Sequence, residues 1–139
     1  MHLDTAYDRK ILFEHYLYES GTSATLRKYF QWLASKVTNE IIVQNASPSI
    51  SLSVTRTVLE IASNDGSQLD EFKTLGWQTI GVDPAKNLAQ SAKDRGHRIV
   101  VGFWGENVNA SSLPTSVVSS LDAIVAQNVL AHVVSPIKF

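Results

Sequence analysis

Two carboxylates stand where short apolar runs give way to turns, Glu60 within EIASNDG and Asp83 within GVDPA. If each run is a strand of a parallel sheet, both acids lie at strand exits, where open α/β sheets bind their ligands. An acid ending the second strand is placed to accept both hydroxyls of a ribose, so the pair points to an adenosine-containing cofactor. The spacing carries that reading; taken singly, Glu60 reads equally as a structural anchor and Asp83 as a helix cap. Asn64 and Asp65 tolerate left-handed backbone almost as glycine does, which lets the first turn approach a ligand closely. A nicotinamide dinucleotide is disfavoured. It calls for G-x-G-x-x-G to seat a pyrophosphate on a helix N-terminus, and this turn offers only Gly66. Carboxylates at Glu60, Asp65 and Asp70 would also repel phosphate, so a cationic or zwitterionic cofactor fits better.

Four Val- and Ile-containing runs, at residues 57–62, 77–82, 97–102 and 121–127, suit strands buried on both faces. They alternate with helical stretches, the pattern that feeds a parallel sheet. Between the first two, Ser67 and Asp70 form a capping-box-like pair, Leu69 and Phe72 face inward and Gly76 marks the stop. Between the second and third, Pro84 fits a first turn, Leu88, Ala89 and Ala92 make the apolar side, and Gly96 ends the helix. Upstream, Tyr7, Ile11, Leu12, His15 and Tyr18 recur at helical steps over residues 4–18. A second helix opens in hydroxyl residues and aligns Leu26, Tyr29, Phe30, Leu33, Val37 and Ile41 on one stripe. The Ser-rich stretch 45–53, with Pro48, reads as a loop. The expected fold is α/β, a Rossmann-like open parallel sheet over residues 48–139, preceded by two N-terminal helices within residues 1–47.

A chain of 139 residues supports one core. Its 44% hydrophobic and 18% charged content excludes a disordered or collagen-like chain. Twelve basic against thirteen acidic residues leave no sequence-wide electrostatic case for nucleic acid or an acidic membrane surface. Without cysteine there is no disulfide, thiolate zinc site or cysteine nucleophile. His2, His15, His97 and His132 include no pair three or four apart, so no intrinsic metal is expected. MHLDTAYDRK carries charges where a signal peptide needs apolar residues, and no window approaches the roughly 20 apolar residues of a membrane span. The expectation is a soluble cytoplasmic protein.

EIASNDGSQLDEF, GVDPAKNLAQSAKDRG and DAIVAQNVLAHV resemble, in order, the motifs of class I S-adenosylmethionine-dependent methyltransferases. More narrowly they resemble the sugar C-methyltransferase family, whose first motif also carries Asn-Asp-Gly. The upstream YLYESGTSATLRKYF is similar to a Tyr- and Ser-rich segment of that family, so the likeness spans residues 16–133. It implies a methyltransferase acting on a small-molecule acceptor, a nucleotide-linked sugar methylated at carbon. Glu60, Ala62 and Gly66 would lie along the methionine moiety, Asp83 would hold the ribose and Pro84 would flank it. Phe103 or Trp104 would cover the adenine, or else serve core or lid packing. Gln127 and Asn128 would fix the amino-acid end, Asn128 the stronger candidate. His132 would act as acid/base or orient the acceptor, its alternative being a structural histidine at a helix start. Tyr16, Tyr18, Ser20 and Ser23 would close over the site, with Tyr18 as packing and Ser23 as a helix cap the competing readings.

The sequence also departs from the pattern. Ala62 stands where most class I methyltransferases carry glycine, from which some loss of cofactor affinity follows. Members of the sugar family have a preceding cysteine-rich zinc-binding domain and continue past the AHV segment. On that comparison the chain is expected to be truncated, with C-terminal strands missing, and the competing function is a non-catalytic cofactor-binding module. An unpaired apolar edge at residues 121–127 would then recruit a second copy.

Overall fold

Helices α1 (Arg9–Glu14) and α2 (Ala24–Gln44) precede an alternating run of β1 (Thr57–Ile61), α3 (Ser67–Thr74), β2 (Gln78–Asp83), α4 (Lys86–Asp94), β3 (Arg98–Val101), α5 (Thr115–Val118) and β4 (Leu121–Ala126). The computed structural model describes residues 9–14, 16–44 and 55–133. The sheet order is β3-β2-β1-β4 and every pairing is parallel. β1 is buried along its whole length, as its β-branched and apolar residues suit a central parallel strand. From β1 the chain builds outward through β2 and β3, then crosses back to place β4 on the opposite side. That reversal opens a crevice beyond the carboxyl ends of β1 and β4.

Alternation along β1 divides the core into two layers. Val58 joins Leu69, Phe72, Ala89, Ala92 and Ile99 beneath α2, α3 and α4, with Ala34 of α2 completing the layer. Leu59 and Ile61 meet Ile80 and Val82 on the other face, covered by Val108, Leu113 and Val117. Glu60 shares the pleat direction of Val58, so it enters the helical side at the strand's last turn. α2 is fastened by Trp77, whose indole N–H donates to Thr38 Oγ1 at 3.0 Å while its ring meets Phe72 edge-on at 5.3 Å.

Several local expectations change. Tyr16 to Glu19 have no regular structure rather than continuing a helix, and side chains of distant residues take the Tyr16 and Tyr18 carbonyls. Tyr29 is 42% exposed and packs on Trp32, since the stripe centres on Phe30 and Ala34 and one residue turns the helix by about 100°. Gly66 is the N-cap of α3, with no side-chain cap, and the Ser67 N–H bonds to Asp65 Oδ1. Asp70 instead pairs with Arg95 Nη1 at 2.6 Å and His97 Nε2 at 2.8 Å, joining α3 to the end of α4. Pro84 precedes α4, whose N-cap is Ala85. Tyr7, His15 and the loop at 45–53 lie outside the described residues. Among the described residues no helix is long and apolar enough to cross a membrane.

Thr38→Val leaves a buried indole N–H without its acceptor, a loss of about 1–3 kcal/mol. Urea denaturation should show a lower midpoint at unchanged slope; an unmoved midpoint would mean that this bond does not fasten α2.

Candidate functional site

A cleft of about 330 Å³ opens beyond the strand exits, within the usual size range of small-molecule sites. Its floor comes from the turns after β1, β2, β3 and β4, and its roof from Phe13, Tyr16, Tyr18, Ser20 and Phe30. Glu60, Ala62, Asp83, Pro84, Phe103 and Trp104 all line it. So do Gln127, Asn128 and His132, with Tyr16, Tyr18 and Ser20 opposite them. Gly66 and Ser23 are not in the lining. Gly66 holds a left-handed backbone, φ 81°, where a Cβ would fall 2.9 Å from Ala92 and His97, so it serves the seam between α3 and α4. Ser23 Oγ accepts the Leu26 N–H at 3.3 Å, the bond of a helix cap.

The first turn is shaped by backbone. The N–H groups of Ala62 and Ser63 both donate to Val82 O, at 2.8 and 3.2 Å, which ties the exit of β1 to β2. Ala62 at φ 61° and Asn64 at φ 49° are left-handed, and Asn128 at φ 54° repeats this where β4 leaves the sheet. Such a conformation costs roughly 1–2 kcal/mol for an L-residue other than glycine. The turn delivers the Asn64 N–H to Asp83 Oδ2 at 2.8 Å, while Asp83 Oδ1 accepts the Ala85 N–H at 2.8 Å. Two backbone donors therefore fix Asp83, and each carboxylate oxygen retains acceptor capacity toward the cleft.

Glu60 is 5% exposed, and its Oε2 has no hydrogen-bond partner among the described residues. Burial, then the nearby Asp83 and Asp65, push its pKa well above the ordinary glutamate value. Asp83 is raised as well, chiefly by burial, against the lowering pull of the Ala85 and Asn64 N–H groups. At the exit of β4, Gln127 Nε2 donates to Gln68 Oε1 at 2.9 Å, and Gln68 Nε2 donates to Phe30 O at 3.1 Å, linking floor to roof. Phe13 lies 5.8 Å from the His132 ring and 6.5 Å from Phe103, centroid to centroid. Sequence reasoning missed Gln68 and Phe13: a glutamine early in α3 and a phenylalanine in a short amphipathic helix carry no signal of a cleft.

Because the Glu60 pKa is raised on folding, the folded chain holds a proton that the unfolded chain releases. Stability from this group is full below about 4.5, the ordinary glutamate value, and is lost as pH climbs through the raised one. In urea denaturation between about pH 5 and pH 8, wild type should lose stability with pH more steeply than Glu60→Gln. Parallel pH profiles would show that Glu60 does not titrate abnormally.

A family model described as "Methyltransferase domain" matches residues 59–139. The C-methyltransferase NovU of Streptomyces niveus is 33% identical over 97 residues, which cover 69% of this chain and 21% of NovU. The chain thus spans about a fifth of that relative's length. Among solved structures, the plantazolicin methyltransferase BpumL in complex with SAH superposes with a TM-score of 0.51 at 12% identity, covering 69% of this chain and 34% of that one. The matched stretch contains both acids, the left-handed turns and the four strands save the first two residues of β1, and the chain belongs to the methyltransferase domain family, as a class I S-adenosylmethionine-dependent member resembling the sugar C-methyltransferases.

Proposed function

We propose that this domain binds S-adenosylmethionine in the cleft and serves its transfer of a methyl group to carbon of a small-molecule acceptor, a nucleotide-linked sugar. One observation carries the cofactor reading: Glu60 and Asp83 leave adjacent strands into the same cleft. The donor set suits that cofactor. A buried, unpartnered carboxyl oxygen on Glu60 matches an ammonium group, and Asp83 keeps lone pairs for ribose hydroxyls. A diphosphate would meet the Asp65 and Asp83 carboxylates, with no cationic side chain lining the cleft besides His132 among the described residues, and be repelled.

S-adenosylmethionine, when bound, supplies a methyl group activated by positive sulfur. Asp83 grips the ribose beside Pro84, Glu60 with Gln127 and Asn128 holds the amino-acid end, and Phe103 or Trp104 flanks the adenine. Ala62 forms the wall along the methionine, and Gly66 acts there indirectly by permitting the turn into α3. His132 removes the proton from the acceptor carbon, and Tyr16, Tyr18 and Ser20 exclude water above it; Ser23 supports them by capping α2. The likeness to NovU, a C-methyltransferase, supports carbon as the atom methylated. The Ala62 side chain at a left-handed position in the cleft wall favours the competing reading, a cofactor-binding module without turnover. A further part of the proposal is that β4, an edge strand with Ile124 60% exposed, pairs with a second copy.

Calorimetric titration with S-adenosylhomocysteine should give binding that weakens at least about 10-fold in Asp83→Ala. His132→Ala should retain that binding yet lose roughly 100-fold or more in methyl transfer to nucleotide-linked sugars. Absence of binding to wild type would sink the cofactor reading, and binding without transfer would select the module. Size-exclusion chromatography with light scattering tests the pairing, where a clean monomer counts against it.

A further inference from the structure

We propose that Asn64 is a positioning residue which couples occupation of the nucleoside end of the cleft to closure of the segment at residues 16–22. The proposal rests on the cofactor reading above. Apart from a 3-10 turn at Ser20–Thr22, this segment has no regular structure of its own. Side chains hold it against the body. Asn64 Nδ2 donates to Tyr18 O at 2.9 Å, and Asn64 Oδ1 accepts the Ser20 N–H at 2.9 Å. One amide thereby meets alternate residues of the extended segment much as a neighbouring strand would. Asp65 Oδ2 accepts the Gly21 N–H at 3.1 Å, and Asn87 Nδ2 donates to Tyr16 O at 2.9 Å.

The same Asn64 donates its backbone N–H to Asp83 Oδ2. Its side chain therefore holds the roof while its main chain holds the acid that would receive the ribose. Fastened among the described residues by these bonds and by one from the Arg27 guanidinium of α2 to Gly21 O, and not by a buried apolar face, the segment opens at lower free energy than the core, which supplies the two states that coupling requires. A nucleoside that fixes Asp83 also fixes the Asn64 backbone, and so aims its amide at Tyr18 and Ser20. By reciprocity, the closed roof favours nucleoside binding. Gly21 makes the close approach possible, because a Cβ there would collide with Ser67 Oγ and Asp65 Oδ2.

Amide hydrogen exchange at Ser20 and Gly21, with β1 amides as the control for global unfolding, tests this in the full chain. Asn64→Gly deletes the latch but keeps the backbone donor and tolerates the left-handed conformation. Without ligand, both amides should exchange about 10-fold faster or more in this variant than in wild type, with β1 unchanged. S-adenosylhomocysteine at saturating concentration should slow both amides in wild type but not in Asn64→Gly, where calorimetry should show binding that is weaker, as reciprocity requires, but retained. Gly21→Ala should loosen the segment in the same way, and Asn64→Asp, which keeps only the acceptor, should give an intermediate effect. Unchanged exchange in Asn64→Gly, or ligand protection that persists in it, overturns the proposal. Failure of wild type to bind the nucleoside overturns the cofactor reading instead, and the coupling with it, while the ligand-free exchange still decides whether Asn64 is the latch.

Discussion

Asp83 is held by the N–H groups of Asn64 and Ala85, one from the turn after β1 and one from the entrance to α4. This is the joint on which the cleft depends. The Asn64 bond sets the path of the first turn, and the Ala85 bond sets where α4 begins. Fixing a carboxylate with backbone donors rather than a lysine or arginine leaves the local charge negative, so the group keeps its appetite for hydroxyl or cationic partners. Glu60 lies on the adjacent strand, and burying an unpaired acid there is unfavourable for the domain alone. The surrounding sheet tolerates that cost because β1 is packed on both faces.

The roof is assembled differently. α2 is bound by apolar packing and the Trp77 to Thr38 bond, whereas residues 16–22 depend on polar contacts to Asn64, Asp65 and Asn87. Apolar burial is non-directional and cooperative, while isolated hydrogen bonds at the surface exchange readily with water. The molecule thus has a rigid floor and a roof of lower local stability, a division suited to a site that must admit and then enclose a ligand.

Much of the floor was readable from residue types. The four strands announce themselves through Val and Ile, and the acids at strand exits follow from where parallel sheets end. The roof was less so. Tyr18 continues the helical period of Ile11 and Leu12, and contacts from Asn64 and Asn87, far away in sequence, hold the stretch from Tyr16 to Tyr18 out of a helix. Asp70 looked like part of a cap because capping is local, yet Arg95 and His97 claim it after the chain has folded back. Tyr29 fell off the apolar stripe because it adjoins Phe30, and periodicity alone does not fix which of two neighbours faces the core. Ser67 failed as a cap for a related reason: Gly66, already left-handed, delivers the chain into α3 without one.

Ala62 leads somewhere else. Its backbone sits where glycine would be at rest, and the bonds from Ala62 and Ser63 to Val82 O keep it there. That peptide behaves as a small loaded spring braced against the sheet. Any loosening of β1 from β2 would let it relax, so the shape of this wall is borrowed from the firmness with which the two strands that carry Glu60 and Asp83 are paired.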